Sequence, residues 1–281
     1  MPSMIKLVVT DMDGSLLCRD QSITEGNLEA IHKIQELGIE FAIASGRDYN
    51  SVTGVMGAYG IECEAILGNG AQYSDKDGNI LMDCYMDHSV IKPIVNVLHE
   101  RNIPYMIITS GKPYTGYNPD YVRDIFLERG RRKFGGSEMP PDAPCNNLIK
   151  IDDFDEFVNS NLEIVKVEAF SLDPSEITEA RQHIEHLPGI SILSSFDDNI
   201  EVTNKDAQKG FILEKVVKLK GLTKEEVMVL GDGMNDISLF QCFPYSFAPS
   251  NAEKEIKELA YKIVSDCEHD ALKEAVDLMI R

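Results

Sequence analysis

No stretch of this sequence approaches the roughly 20 consecutive apolar residues that a helix needs to span a bilayer. The apolar run inside MPSMIKLVVTDMDG meets charge too soon to read as a signal peptide. Cysteines are few and scattered: Cys18, Cys63, Cys84, Cys145, Cys242 and Cys267 lie in a chain of 281 residues with no C-x-x-C spacing. They read as reduced thiols of a cytoplasmic protein, and none is assigned a metal. Basic charge is scarce as well. Against 47 acidic residues stand 27 Lys and Arg, a formal charge of −20. That balance argues against nucleic acid and anionic membranes as main partners. It leaves room for a small anionic substrate, because a metal ion and two or three placed cations reverse the field locally. The six histidines form no H-E-x-x-H or similar pairing. Internal repeats and low-complexity tracts are absent too.

What is present is α/β texture at both ends. Ile5–Thr10 is apolar and β-branched, as a buried parallel strand is. Thr24 suits an N-cap, Leu28, Ile31, Ile34 and Leu37 form a stripe, and Gly38 ends the helix. Strand Ile39–Ala44 completes a βαβ unit, which requires a parallel pair. A helix over Asp48–Tyr59, a strand Ala65–Gly68 and a hairpin turning at Asp77-Gly78 follow. From about Tyr85 the pattern is mixed. Helix Ser89–Arg101 and strand Tyr105–Thr109 precede a glycine- and proline-rich stretch, Gly111 to Pro144, which reads as irregular. Strands at Leu148–Ile151, Ile164–Phe170, Ile190–Ser194 and Asn199–Thr203 come next, with a helix capped by Asp173-Pro174. The α/β texture returns with a helix from Asp206 to Leu219 and strand Val227–Gly231, and Ser250-x-x-Glu253 is expected to cap a further helix.

The expected fold class is therefore α/β: a Rossmann-like parallel-sheet core made of 1–84 and 196–281, with an inserted α+β domain at 85–195. The insert is expected to act as a lid that sets substrate specificity.

Three apolar strands end in polar residues. The first ends in Asp11-Met12-Asp13-Gly14-Ser15, the second in Ser45-Gly46-Arg47, and the third in Asp232-Gly233-Met234-Asn235-Asp236. In open parallel sheets the ligand crevice lies beyond the carboxyl ends of the strands. If these strands are neighbours, four carboxylates, a hydroxyl and a guanidinium converge there. Gathered carboxylates need a cation, and hard oxygen ligands with open positions suit Mg2+. A carboxylate attacks phosphorus to form an acyl phosphate, and a second carboxyl two residues away moves the proton of the leaving oxygen and of water. Each residue also has an ordinary reading. A lone Asp-x-Asp caps a helix or turn, a lone Ser45 caps a helix, and a lone Lys209 is a solvated helix residue.

Together the motifs resemble those of the haloacid dehalogenase superfamily of phosphatases. Asp11-Met12-Asp13-Gly14-Ser15 is similar to its D-x-D-G-T signature, Ser45 stands at the second motif, and Lys209 stands at the third. Gly231-Asp232-Gly233-Met234-Asn235-Asp236 is similar to the fourth. The order and the large insert resemble the Cof-type subfamily with a type IIB cap. The resemblance implies that Asp11 is the nucleophile and a magnesium ligand, and that Asp13 is the general acid and base and lends the metal its backbone carbonyl. It implies that Ser45 and Lys209 hold the phosphoryl group, with Gly46, Arg47 and Asn235 beside the substrate. Asp232 is then the third metal ligand, and Asp236 supports the metal from behind. Ser15 departs from the usual Thr but keeps the hydroxyl. Gln208, Pro249 and the ending Cys267-Glu268-His269-Asp270-Ala271 also depart from the family's pattern.

The implied activity is Mg2+-dependent hydrolysis of a small phosphorylated metabolite such as a sugar phosphate. The alternatives are a phosphomutase using the same Asp pair and a receiver-like phosphoacceptor without turnover. The substrate is the expected partner, and the chain is expected to be a monomer or homodimer. Two features stay open at this point: Arg129, Arg131, Arg132 and Lys133 are a solvated loop or an anion handle, and Asn69-Gly70 lines the site or is a turn only.

Overall fold

The computed structural model describes residues 4–134, 143–194 and 196–280, and the side chains of Lys133 and Phe134 lie outside the description. The chain divides into two compact units, 1–83 with 207–281, and 84–206.

The first unit begins with β1 (Leu7–Thr10), α1 (Glu25–Glu36), β2 (Glu40–Ala44), α2 (Tyr49–Ala58), β3 (Glu64–Leu67), β4 (Gln72–Ser74) and β5 (Ile80–Asp83). As the sequence predicts, the Thr24 side chain accepts from the Asn27 amide at the start of α1. The second unit carries α3 (His88–Glu100), β6 (Tyr105–Thr109), β7 (Pro113–Thr115), α4 (Pro119–Phe134), β8 (Ile149–Lys150), α5 (Phe154–Val158), β9 (Ile164–Phe170), α6 (Pro174–Ile184), β10 (Ile190–Leu193) and β11 (Asn199–Asn204). The chain then returns to the first unit with α7 (Lys209–Leu219), β12 (Val227–Leu230), α8 (Ile237–Cys242), β13 (Tyr245–Pro249), α9 (Lys254–Leu259), β14 (Lys262–Val264) and α10 (Ala271–Met279).

The first unit is α/β. Its eight-stranded sheet runs β14-β13-β12-β1-β2-β3-β4-β5. It is parallel from β14 to β3 and antiparallel over β4 and β5. All four residues of β1 and of β12 are buried, which is why both read as unbroken apolar runs. Ile31 and Ile34 of α1, Met56 of α2, and Leu272 and Val276 of α10 share one core with Val8, Ile43 and Met228. The second unit is built on a six-stranded sheet, β10-β11-β9-β6-β7-β8. Its core joins Ile91, Ile94 and Leu98 of α3 and Ile177 and Ile184 of α6 to Tyr105, Ile107, Val167 and Ile200.

Four expectations change. The second boundary moves from 195 to 206, because β11 pairs antiparallel with β9 and so belongs to the inserted unit. The stretch read as irregular contains the 16-residue helix α4, with Pro119 at its start and the Asn118 side chain accepting from the Asp120 amide. Arg129 on that helix is not in a solvated loop: it is 9% exposed, and its guanidinium lies 2.8 Å from Asp198. Arg131 and Arg132 pair with Glu128, while the Lys133 side chain and residues 135–142 lie outside the described residues. Finally, Glu253 and not Ser250 is the N-cap of α9, because Tyr245–Pro249 is drawn into the sheet as β13.

Candidate active site

Strands β12, β1 and β2 lie side by side and in register, Leu230 and Ile43 both pairing with Thr10. Their carboxyl ends therefore deliver Asp11, Ser45 and Asp232 to one edge of the sheet. The Asp11 amide donates to the Leu230 carbonyl at 2.8 Å, which continues the pairing one residue past the strand.

The center of the site is a buried ion cluster. Lys209, at the first position of α7 and 0% exposed, places Nζ 2.6 Å from Oδ1 of Asp11 and 2.6 Å from Oδ1 of Asp236. Oδ2 of Asp236 accepts from the amides of Asp232 and Gly233, at 3.0 and 3.1 Å. Asp236 thus ties Lys209 to the loop that carries Asp232. Ser15 donates through Oγ to Oδ1 of Asp232 at 3.0 Å, joining the first motif to the fourth. Gly14 is required there: its φ is +87°, and a Cβ would lie 2.3 Å from Oδ2 of Asp232.

Burial and repulsion act on these groups together. Burial raises the Asp11 carboxyl well above the usual range; Lys209 opposes the rise, and Asp236, Asp232 and Asp13 add to it. Burial and Asp236 push Asp232 up to about 7. Burial disfavours the charge on Lys209, but Asp11 and Asp236 outweigh it and hold the ammonium protonated.

Carboxylate oxygens of Asp11, Asp232 and Asp236 lie within 4.8 Å of one another. One ammonium faces three carboxylates, so a divalent cation fits the charge, and an all-oxygen donor set fits a hard one. Asp236 is occupied by Lys209 and two amides, which leaves Asp11 and Asp232 as the carboxylates able to take the ion.

Asp13 is turned elsewhere. Its carboxylate receives two hydrogen bonds from Arg47, Nη2 to Oδ1 at 2.6 Å and Nε to Oδ2 at 2.8 Å. Gln21, which no sequence signal marked, joins this pair. It accepts from Arg47 Nη2 and donates to Oδ1 of Asp13 at 3.3 Å. Ser45 is buried, with Oγ accepting from the Arg47 amide at 3.2 Å. Asn235 donates to Oδ1 of Asn69 at 3.2 Å. Asn251 and Glu253 were also missed. Asn251 donates to the Gly14 carbonyl at 2.8 Å, and Glu253 accepts from the Met234 amide at 3.3 Å.

A parallel α/β sheet with carboxylates, a lysine and a serine at its carboxyl edge defines a site for handling an anionic group beside a cation. The chain belongs to the haloacid dehalogenase-like hydrolases, whose family profile matches residues 8–276. Among curated proteins it resembles phosphatase YwpJ of Bacillus subtilis, 26% identical over 271 residues that cover 91% of this chain and 93% of that one. It also resembles 5-amino-6-(5-phospho-D-ribitylamino)uracil phosphatase YwtE of the same organism, 23% identical and covering 98% of each chain. A solved haloacid dehalogenase-like hydrolase from B. subtilis shares the fold with a TM-score of 0.84 at 23% identity, covering 98% of this chain and 100% of that one. The protein is accordingly an enzyme of the phosphatase class. Among the described residues no helix is long and apolar enough to cross a membrane.

Proposed function

We propose that the protein is a Mg2+-dependent phosphomonoesterase that hydrolyses a small phosphorylated metabolite of the sugar-phosphate kind through an aspartyl phosphate on Asp11. The carrying observation is the Asp11 carboxylate, 5% exposed and held 2.6 Å from Lys209 beside Asp232. A carboxylate oriented in a dry site by a fixed ammonium is suited to attack phosphorus. The relative named for 5-amino-6-(5-phospho-D-ribitylamino)uracil acts, by that name, on a small phosphate ester, which supports the substrate class.

In this reading Asp11, Asp232 and the Asp13 carbonyl hold the metal, which when bound offsets the negative charge of the site and of the phosphoryl oxygens. Lys209 and Ser45 hold the transferring group, with Gly46, Arg47 and Asn235 around it. An oxygen of Asp11 forms a bond to phosphorus as the bond to the ester oxygen breaks, and Asp13 gives that oxygen its proton. Asp13 then removes a proton from water. The water oxygen bonds to phosphorus, the bond to Asp11 breaks, and orthophosphate leaves with Asp11 restored. To reach the leaving oxygen, Asp13 exchanges its hold on Arg47, which frees that guanidinium for the substrate. The inserted unit, 84–206, is assigned the choice of leaving group. The protein is read as cytoplasmic.

Two assays test the reading. Orthophosphate release should be seen with one or more esters from a panel of sugar phosphates, nucleotides and pyridoxal phosphate, and it should vanish with EDTA and return with Mg2+. Asp11→Asn should lower kcat by at least about a thousand-fold while the far-UV spectrum is unchanged. Isomerised sugar phosphate in place of orthophosphate would make the enzyme a mutase, and full activity of Asp11→Asn would remove the nucleophile.

A further inference from the structure

The turn that follows β3 touches the loop after β2, the loop after β12 and the start of α7. Asn69 is 2% exposed and sits at φ 59°, a left-handed conformation that few side chains other than Asn adopt readily. Its amide donates to the Ser45 carbonyl at 3.0 Å, and the neighbouring Gly68 amide donates to the Arg47 carbonyl at 3.1 Å. The Asn69 side chain reaches two further loops. Oδ1 accepts from Nδ2 of Asn235 at 3.2 Å, and it lies so close to Gly46 that a Cβ there would be 2.9 Å away. Gly70, at φ +104°, passes under the start of α7, where a Cβ would be 2.6 Å from the Gln208 backbone. The residue after Gln208 is Lys209.

We infer that Asn69 is a positioning residue for phosphate binding: its Oδ1 fixes the Asn235 amide, so that Asn235 presents a set donor to the phosphoryl group beside Ser45 and Lys209. An unfixed Asn235 would rotate, and ordering it would then weaken every phosphate complex. Asn69 itself needs no contact with substrate. The inference rests on the phosphatase reading for the role of Asn235 and adds the residue that orients it.

Asn69→Gly removes the side chain and its Oδ1 acceptor while keeping the turn, since glycine accepts φ 59° without strain. The test is a double-mutant cycle of Asn69→Gly, Asn235→Ala and both together. It is read by the affinity for inorganic phosphate in the presence of Mg2+ and by kcat/KM for p-nitrophenyl phosphate. Each single variant should lose about ten-fold on both readings. The double variant should be no worse than Asn235→Ala alone, while thermal melts confirm that all three fold. Unchanged phosphate affinity in Asn69→Gly, or a double loss equal to the product of the two singles, would overturn the inference. Turnover by the wild type and its loss in Asp11→Asn report on the phosphatase reading separately.

Discussion

Lys209 shows how much a single side chain carries. It is the only ammonium within hydrogen-bonding distance of Asp11 and Asp236 among the described residues, and all three are buried. Removing one member of a buried ion cluster leaves uncompensated charge, which costs about 3–5 kcal/mol. Lys209→Met should therefore lower stability by about that amount near neutral pH in urea titrations. The loss should shrink toward pH 5 as the orphaned carboxyls take up protons; an equal loss at both pH values would contradict the electrostatic account. Lys209 was visible in the sequence only through its distance from the other motifs, since a lysine at a helix start has no signature of its own. Asp11, Asp232 and Asp236 were legible because polar residues follow apolar strands. Gln21 and Asn251 were not, because a surface amide acquires a partner only once the chain has folded back on itself.

At the scale of elements, glycines mark where backbones approach. Gly210 lies on α7 where a Cβ would be 2.1 Å from the Ser238 carbonyl, and its amide donates to Oγ of Ser238 at 2.9 Å. Helix propensity alone favours alanine over glycine by about 1 kcal/mol. The packing predicts the opposite sign: Gly210→Ala should destabilise by about 1–3 kcal/mol in denaturant titrations and shift the α7–α8 pair. A more stable Gly210→Ala would show that the close approach is not needed. The strands nearest the site were readable because burial on both faces leaves long apolar runs. Short edge elements were not: β14 spans only the three residues Lys262–Val264, too few to show a period. Helix α4 was hidden by Gly130 and by its charged residues, although Asn118-Pro119 had the signature of a helix start.

The molecule as a whole should feel the state of its site. Asp232 is raised to about 7 by burial and Asp236, and Asp11 is raised in the same direction, so both bind protons more tightly folded than unfolded. The Asp232 contribution is fully present below the unfolded value of 3.8 and is lost as pH rises through about 7, and that of Asp11 has the same sign. Without metal, stability from this source should fall between about pH 4 and 7. Mg2+ favours the ionised carboxylates, so the rise in melting temperature on adding Mg2+ should be larger at pH 8 than at pH 5. A metal effect independent of pH would separate these carboxylates from the cation. The two-unit organisation was legible in the change of texture near residue 85. Its far boundary was not, because β11 returns to the second sheet by pairing that no local pattern announces.

The central claim is that phosphate passes through Asp11. The direct measurement is a rapid acid quench of the enzyme during turnover of a radiolabelled phosphate ester, followed by peptide mapping. The account predicts hydroxylamine-labile label on the peptide containing Asp11, and none in Asp11→Asn. Turnover with no label on the protein, or with label that persists in Asp11→Asn, would contradict it.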